Sequence, residues 1–238
     1  NSSDSIIVNR KRVGELLSIF SEGTPIPLKT ISVKLLEDIK LFMLSAPQGG
    51  NKSGTLSHNT ASTYFAIVKA GLRRAFIDEY LSVDISAKIK GIPEHKAKRE
   101  YLTLEEAGKL ANTPCKNEVL KRAFFFAVLT GIRLCDIHDL TWGEISQTKG
   151  GWRVDFTQRK THEADYLPIS EQAYSLCGEQ GEHDQRVFEG LTGSSWISRP
   201  LKEWIKASGI KKHITFHAGR HNGFPLSLKF NSLQNVSV

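Results

Sequence analysis

The sequence predicts a mainly α protein with a small antiparallel β-sheet, an α+β chain built as two domains. Three observations lead there. Apolar residues recur at three and four through long stretches of both halves of the chain. Two strand-like runs, residues 152–156 and 164–169, flank the polar bend 158–163 and read as a hairpin with a basic tip. Residues 91–100, GIPEHKAKRE, hold Gly, Pro and clustered charge without any apolar period, which reads as a linker. The expected division is a helical domain over 1–92, a linker over 93–102 and a second domain over 103–238.

The elements follow in order. Residues 31–44 place Leu35, Ile39 and Leu44 roughly at helical period, with Leu36 and Phe42 beside them. Residues 46–54, APQGGNKSG, have loop chemistry. Ser57 or Asn59 can cap a long helix running to about Tyr80. Its apolar positions are Ala61, Tyr64, Phe65, Val68, Leu72, Ala75 and Phe76, and its other face carries Lys69, Arg73 and Arg74. After the linker, Thr103 with Glu106 three residues on forms a capping box, so a helix starts there. Residues 117–130 are apolar nearly all round from Ala123, as expected of a central core helix, and Gly131 is a natural left-handed stop. Residues 170–178 and 195–208 read as helices, the second bearing Trp196, Ile197, Leu201, Trp204 and Ile205. No element is assigned to the first thirty residues.

Composition narrows the class. A chain of 238 residues suffices for two ordinary domains or one large one. With 39% hydrophobic and 24% charged residues, it has the make-up of a globular protein. No apolar run approaches the ~20 residues that span a bilayer. The N-terminus lacks a secretory apolar region and an initiator Met, so a fragment is expected. Cys115, Cys135 and Cys177 are odd in number and match no metal spacing, which points away from disulfides and zinc and toward a reducing, cytoplasmic compartment. The net charge is +7, with 15 Lys and Arg against 10 Asp and Glu in residues 1–100. Such an excess favours an anionic partner, nucleic acid being the commonest, although a merely basic soluble protein has the same balance.

Two segments carry chemistry. In Thr130-Gly131-Ile132-Arg133, the arginine falls two residues past a helix-ending glycine and opens the next helix. A guanidinium joined to the positive end of a helix dipole suits a phosphate. Asp136 can buttress it, and an ordinary ion-paired arginine is the alternative. In His217-Ala218-Gly219-Arg220, histidine and arginine lie three apart on one helical face, which suits proton transfer beside an anionic oxygen. Either segment alone is weak.

In this order, T-G-I-R, D-I-x-x-L-x-W, a basic hairpin and H-x-x-R-H resemble the catalytic domain of tyrosine recombinases, the phage-integrase family. The resemblance covers most of the chain: KLLEDIKLFML, SHNTASTYFAIVKAGLRRAF, REYLTLEEAGKL, KRAFFFAVLTGIRLCDIHDLTW, QRKTHEADYLPIS and KKHITFHAGRH. It extends to integrases of Bacteroidetes mobile elements and transposons. It implies an N-terminal helical, SAM-like core-binding domain that clamps DNA. It implies that Arg133 and Arg220 grip the scissile phosphate and stabilise charge in the transition state. Lys160, at the hairpin tip, would protonate the departing 5′-oxygen; Arg159 beside it does not readily yield a proton and is expected on DNA instead. His217 would assist proton movement at the attacking group or hold the phosphate. Lys69, Arg73, Arg74, Lys98 and Arg99 would contact phosphates, with Lys96 near the last two. The implied partner is double-stranded DNA, on which relatives assemble as tetramers. The resemblance calls for no metal and no other cofactor, no membrane, and a nucleoid-associated place in the cytoplasm.

The chain departs from the family after His221. Where relatives continue with an apolar helix, an L-G-H motif and the nucleophilic tyrosine, this chain reads Asn222-Gly223-Phe224-Pro225 and ends at Val238. Pro225 would break a helix there. No tyrosine follows Tyr174, and Tyr166 and Tyr174 match hairpin and helix positions. The expectation is a truncated or frameshifted chain that binds DNA and cleaves poorly or not at all. The competing reading is a non-catalytic DNA-binding regulator or accessory factor on the same scaffold.

Overall fold

The computed structural model describes residues 2–50, 52–96, 100–157 and 164–220. The chain divides into two compact units, Asn1–Ala97 and Lys98–Val238.

The first unit packs α1 (Ser2–Phe20), α2 (Val33–Ser45) and α3 (His58–Ile77) around one core. Ser32 caps α2 by accepting from the Leu35 amide, and Ser57 caps α3 by accepting from the Thr60 amide. The buried stripe of α2 runs through Leu36, Ile39 and Met43, so Leu44, expected inside, sits 37% exposed at the rim. α1 carries a helical signal in the sequence: Val13, Leu16, Leu17 and Phe20 recur at three and four and pack into the core. Its first turns bear Ile6, Ile7 and Val8 in the open, which dilutes that pattern.

Two stretches expected to be irregular are ordered. Two short strands, β1 (Pro47–Gly49) and β2 (Lys52–Thr55), pair antiparallel. The Arg12 guanidinium lies over Gly49 and donates to the Pro47 carbonyl at 3.0 Å. The tail after α3 folds back along that helix. Lys69 Nζ donates to the Ile89 carbonyl at 2.6 Å, and Ser62 Oγ to the Ile92 carbonyl at 2.6 Å. The Asn59 side chain exchanges two hydrogen bonds with the His95 backbone, both at 2.9 Å. The His58 ring donates to the Pro93 carbonyl at 2.8 Å and stacks on His95 with centroids 3.7 Å apart. Ile89 and Ile92 are buried beneath this run of bonds. The stretch read as the start of a linker is therefore laid on α3 as far as His95, because side chains of that helix satisfy its backbone.

The second unit opens with α4 (Leu104–Ala111). Its capping box is complete: the Glu106 amide donates to Thr103 Oγ1 at 3.2 Å and the Thr103 amide to Glu106 Oε2 at 2.7 Å. Lys212 Nζ reaches the same carboxylate at 2.6 Å. Burial pushes the Glu106 carboxyl up, but the bonds from Lys212 and Thr103 outweigh it and hold it below its ordinary range. α5 (Glu118–Thr130) is the central helix, with Phe124 and Phe126 fully buried, and it ends on Gly131 at φ 72°. α6 (Leu134–Asp139) follows at once. The sheet has three antiparallel strands in chain order, β3 (Ile145–Thr148), β4 (Gly151–Thr157) and β5 (Ala164–Ile169). The expected hairpin is its β4–β5 half; β3, ISQT, is too short and polar to announce itself.

α7 (Glu171–Ser175), α8 (Ser194–Ala207) and α9 (Phe216–Arg220) complete the unit. α8 buries Ile197, Leu201, Trp204 and Ile205 on one face. Trp196, grouped with them in the sequence, is 77% exposed, because one residue before Ile197 is ~100° round the helix. Among the described residues, no helix is long and apolar enough to cross a membrane.

Candidate phosphate-binding site

The site begins where α5 ends. Gly131 turns the chain in the left-handed region, and Thr130 braces the turn by donating to the Phe126 carbonyl at 2.6 Å. Two residues on, Arg133 is the N-cap of α6 and its carbonyl accepts from the Asp136 and Ile137 amides. Its side chain is half-buried, and among the described residues it makes no hydrogen bond or ion pair. The expected buttress is not formed. Asp136 instead accepts from the Cys135 thiol at 3.5 Å.

The second part rides on α5 from above. α9 starts with Phe216, buried edge-on against Phe124 with centroids 5.6 Å apart. A Cβ at Gly219 would stand 2.9 Å from the Phe124 ring and 3.2 Å from Val128 Cγ2, so α9 touches α5 directly at this glycine. That contact sets the height of His217, which is exposed at the top of α9. Alanine normally outranks glycine in a helix. Here the sign is expected to reverse: Gly219→Ala lowers the stability of this unit by about 1–3 kcal/mol through overpacking against a buried ring. Chemical denaturation read by tryptophan fluorescence checks it, and a stabilised variant would show that α9 does not seat on Phe124.

Arg133 and His217 line one cavity of about 350 Å³, with Ser194 and Ser198 from α8 and Thr215 before α9; the Ser198 hydroxyl donates back to the Ser194 carbonyl at 3.2 Å, and Thr215 Oγ1 accepts from the Ala218 amide at 3.1 Å. Among the described residues, no carboxylate lines it. Cys135 does, but burial first and then the Asp136 charge raise its thiol above the ordinary value, so it stays protonated at neutral pH. A guanidinium, an imidazole and the Ser194 and Thr215 hydroxyls, with no acid lining the cavity among the described residues, can receive one phosphate-sized anion and pass a proton beside it. The three hydroxyls escape sequence reading, since serines and threonines carry no signal until distant helices bring them together.

The other expected site residues are placed unequally. Arg220 closes α9 by its backbone, while its side chain lies outside the described residues, as do Lys98, Arg99, Arg159 and Lys160. In the first unit, Lys69 is turned to the Ile89 carbonyl, whereas Arg73 and Arg74 are exposed on α3. Arg74 pairs with Asp78 at 2.8 Å. Tyr166 lies under the Arg153 guanidinium, and Tyr174 stacks on Trp152 at 3.5 Å; neither lines the cavity. Among the described residues, no three His, Cys, Asp or Glu side chains are placed to hold a metal.

Residues 1–90 match the phage integrase SAM-like domain, and residues 100–223 match the phage integrase family. The chain is 31% identical over 180 residues to the integrase of Salmonella phage P22, a match covering 68% of this chain and 45% of that protein. It thus spans less than half the length of that relative. The fold is shared with lambda integrase 75–356, solved as a dimer bound to a COC′ core site, at a TM-score of 0.69 and 20% identity over 92% of this chain and 77% of that one. It is shared too with the XerH site-specific recombinase bound to a palindromic difH substrate, at a TM-score of 0.59 and 16% identity over 82% of this chain and 60% of that one. The chain belongs to the phage integrase family, the tyrosine recombinases.

Proposed function

We propose that this chain is the DNA-binding and phosphate-activating part of a site-specific recombinase of the integrase type, working on double-stranded DNA of a mobile element. The observation that carries the reading is the half-buried Arg133 guanidinium, without a partner among the described residues, in the same cavity as His217. A half-buried cation not engaged by a protein carboxylate is open to an anion, and a phosphate supplies that partner. Arg133 and Arg220 hold the nonbridging oxygens of the scissile phosphodiester, Lys160 protonates the departing 5′-oxygen, and His217 moves a proton at the attacking group. Residues 1–92 clamp the duplex through Arg73 and Arg74, with Lys69 at the edge of that face. Residues 93–102, with Lys98 and Arg99, connect to the catalytic-type domain over 103–238, where Arg159 adds a phosphate contact. The lambda integrase structures hold dimers on a core site and a tetramer on a Holliday junction, so assembly on DNA is proposed here as well, in the cytoplasm at the nucleoid.

In the relatives, a tyrosine hydroxyl attacks the phosphate and forms a 3′-phosphotyrosyl bond as the 5′-oxygen leaves. No tyrosine follows Tyr174 in these 238 residues. That absence favours binding without cleavage for this polypeptide, which is also what a regulator on the same scaffold would do. Incubation with a nicked suicide substrate tests it. The 238-residue chain is expected to retard the duplex on a gel and to leave no covalent protein–DNA adduct after denaturation. An adduct in good yield would overturn the assignment of a missing nucleophile; no retardation at low salt would overturn the DNA reading itself.

A further inference from the structure

The cavity of Arg133 and His217 does not close behind them. It shares Ile197, Ser198, Thr215 and Phe216 with a larger groove of about 800 Å³ between α8 and the segment 209–216. The groove is lined by Lys202, Lys206, Lys211, Lys212 and His213, and, among the described residues, by no carboxylate. Lys212 is committed to Glu106 at 2.6 Å and to the Tyr101 carbonyl at 2.9 Å. The other three lysines are exposed, and among the described residues none of them makes a hydrogen bond or an ion pair. Lys202 and Lys206 are one turn apart on the same face of α8, where like charges repel. The nearby carboxylate on α8, Glu203, is already taken by Arg199 at 3.0 Å. Lys206 lies in the last turn, where its charge offsets the helix dipole, but Lys202 and Lys211 have no such role.

We infer that Lys202, Lys206 and Lys211 form a track for consecutive phosphates of the DNA strand that runs on from the phosphate held at Arg133. The inference rests on the proposed function and extends it to a second set of residues. Continuity decides between possible anions: a pocket for one phosphate that opens into an acid-free, lysine-edged groove fits a polyanion with regular charge spacing. The lysine stems offer apolar surface to the sugar faces between phosphates.

Binding to a duplex of unrelated sequence, followed by fluorescence anisotropy at several salt concentrations, tests it. Each neutralised phosphate contributes about 0.9 to the slope of log K against log salt. The variant K202Q/K206Q/K211Q is expected to lose about 2–3 from that slope. The variant K202R/K206R/K211R keeps the charge and is expected to keep the slope. A control, K29Q/K116Q/K149Q, removes equal charge at exposed lysines that line neither cavity and is expected to lose less than about 1. A full slope in the glutamine triple, alongside a reduced slope in Arg133→Ala, would overturn the track while leaving the phosphate site standing; that is also the result if the groove serves an acidic protein segment. Equal losses in the glutamine triple and the control would overturn it as a mere net-charge effect. No loss in any variant, Arg133→Ala included, would remove the proposed function and the track together.

Discussion

Phe124→Ala is expected to cost the second unit about 3–5 kcal/mol and to take the phosphate site with it. Phe124 is fully buried and meets Phe125, Trp204 and Phe216 edge-on, with centroids 5.7, 5.8 and 5.6 Å away. It is thus the common support of α5, α8 and α9. Deleting its ring loses the transfer energy of the buried atoms and leaves a cavity that three helices would have to collapse to fill. Gly219 also rests on this ring, so His217 loses its seat before the whole unit unfolds. The measurement can be made on the intact chain, because Trp142, Trp152, Trp196 and Trp204 all lie in the second unit. Tryptophan fluorescence therefore reads that unit alone, which matters for a chain of two units that need not unfold together. The tryptophan midpoint in urea should fall sharply. Phe124→Leu, which keeps most of the volume, should lose clearly less. A loss below about 1 kcal/mol for the alanine variant would mean that the aromatic cluster does not hold the three helices together.

What the sequence discloses about this fold is what local hydrogen-bond chemistry dictates. Thr103 with Glu106, and Gly131 after an apolar run, marked their helix ends because the bonds and the φ value involved belong to residues a few positions apart. Ser57 and Asn59 looked alike as caps; only Ser57 serves, and Asn59 turns to the His95 backbone. That choice depends on a partner thirty-six residues away, which no local pattern encodes. The docking of residues 89–95 on α3 was hidden for the same reason, since its polar composition reads as a linker until Lys69, Ser62 and Asn59 are seen to satisfy it. Within the site, Arg133 and His217 were legible from their motifs. The unmade contact to Asp136, the three hydroxyls and the lysine groove were not, because each is a product of tertiary packing.

Arg133→Ala is expected to weaken DNA binding about 10- to 100-fold while leaving the fold intact. A charge-assisted hydrogen bond contributes about 1.5–3 kcal/mol, and every 1.4 kcal/mol is tenfold in affinity. The second half of the expectation is the more discriminating one. A half-buried arginine in an ordinary structural pair leaves its carboxylate stranded when removed, at a cost of about 3–5 kcal/mol. Arg133 has no such partner among the described residues, so nothing is stranded, and the tryptophan unfolding midpoint should stay within about 0.5 kcal/mol of the parent. Arg133→Lys separates charge from geometry. It should keep the salt slope yet recover only part of the affinity, because a lysine cannot present the planar fork that matches two phosphate oxygens. The opposite pattern, a destabilised unit that still binds DNA at full strength, would make Arg133 a structural residue of the α5–α6 turn. The cavity it shares with His217 would then have no phosphate to hold.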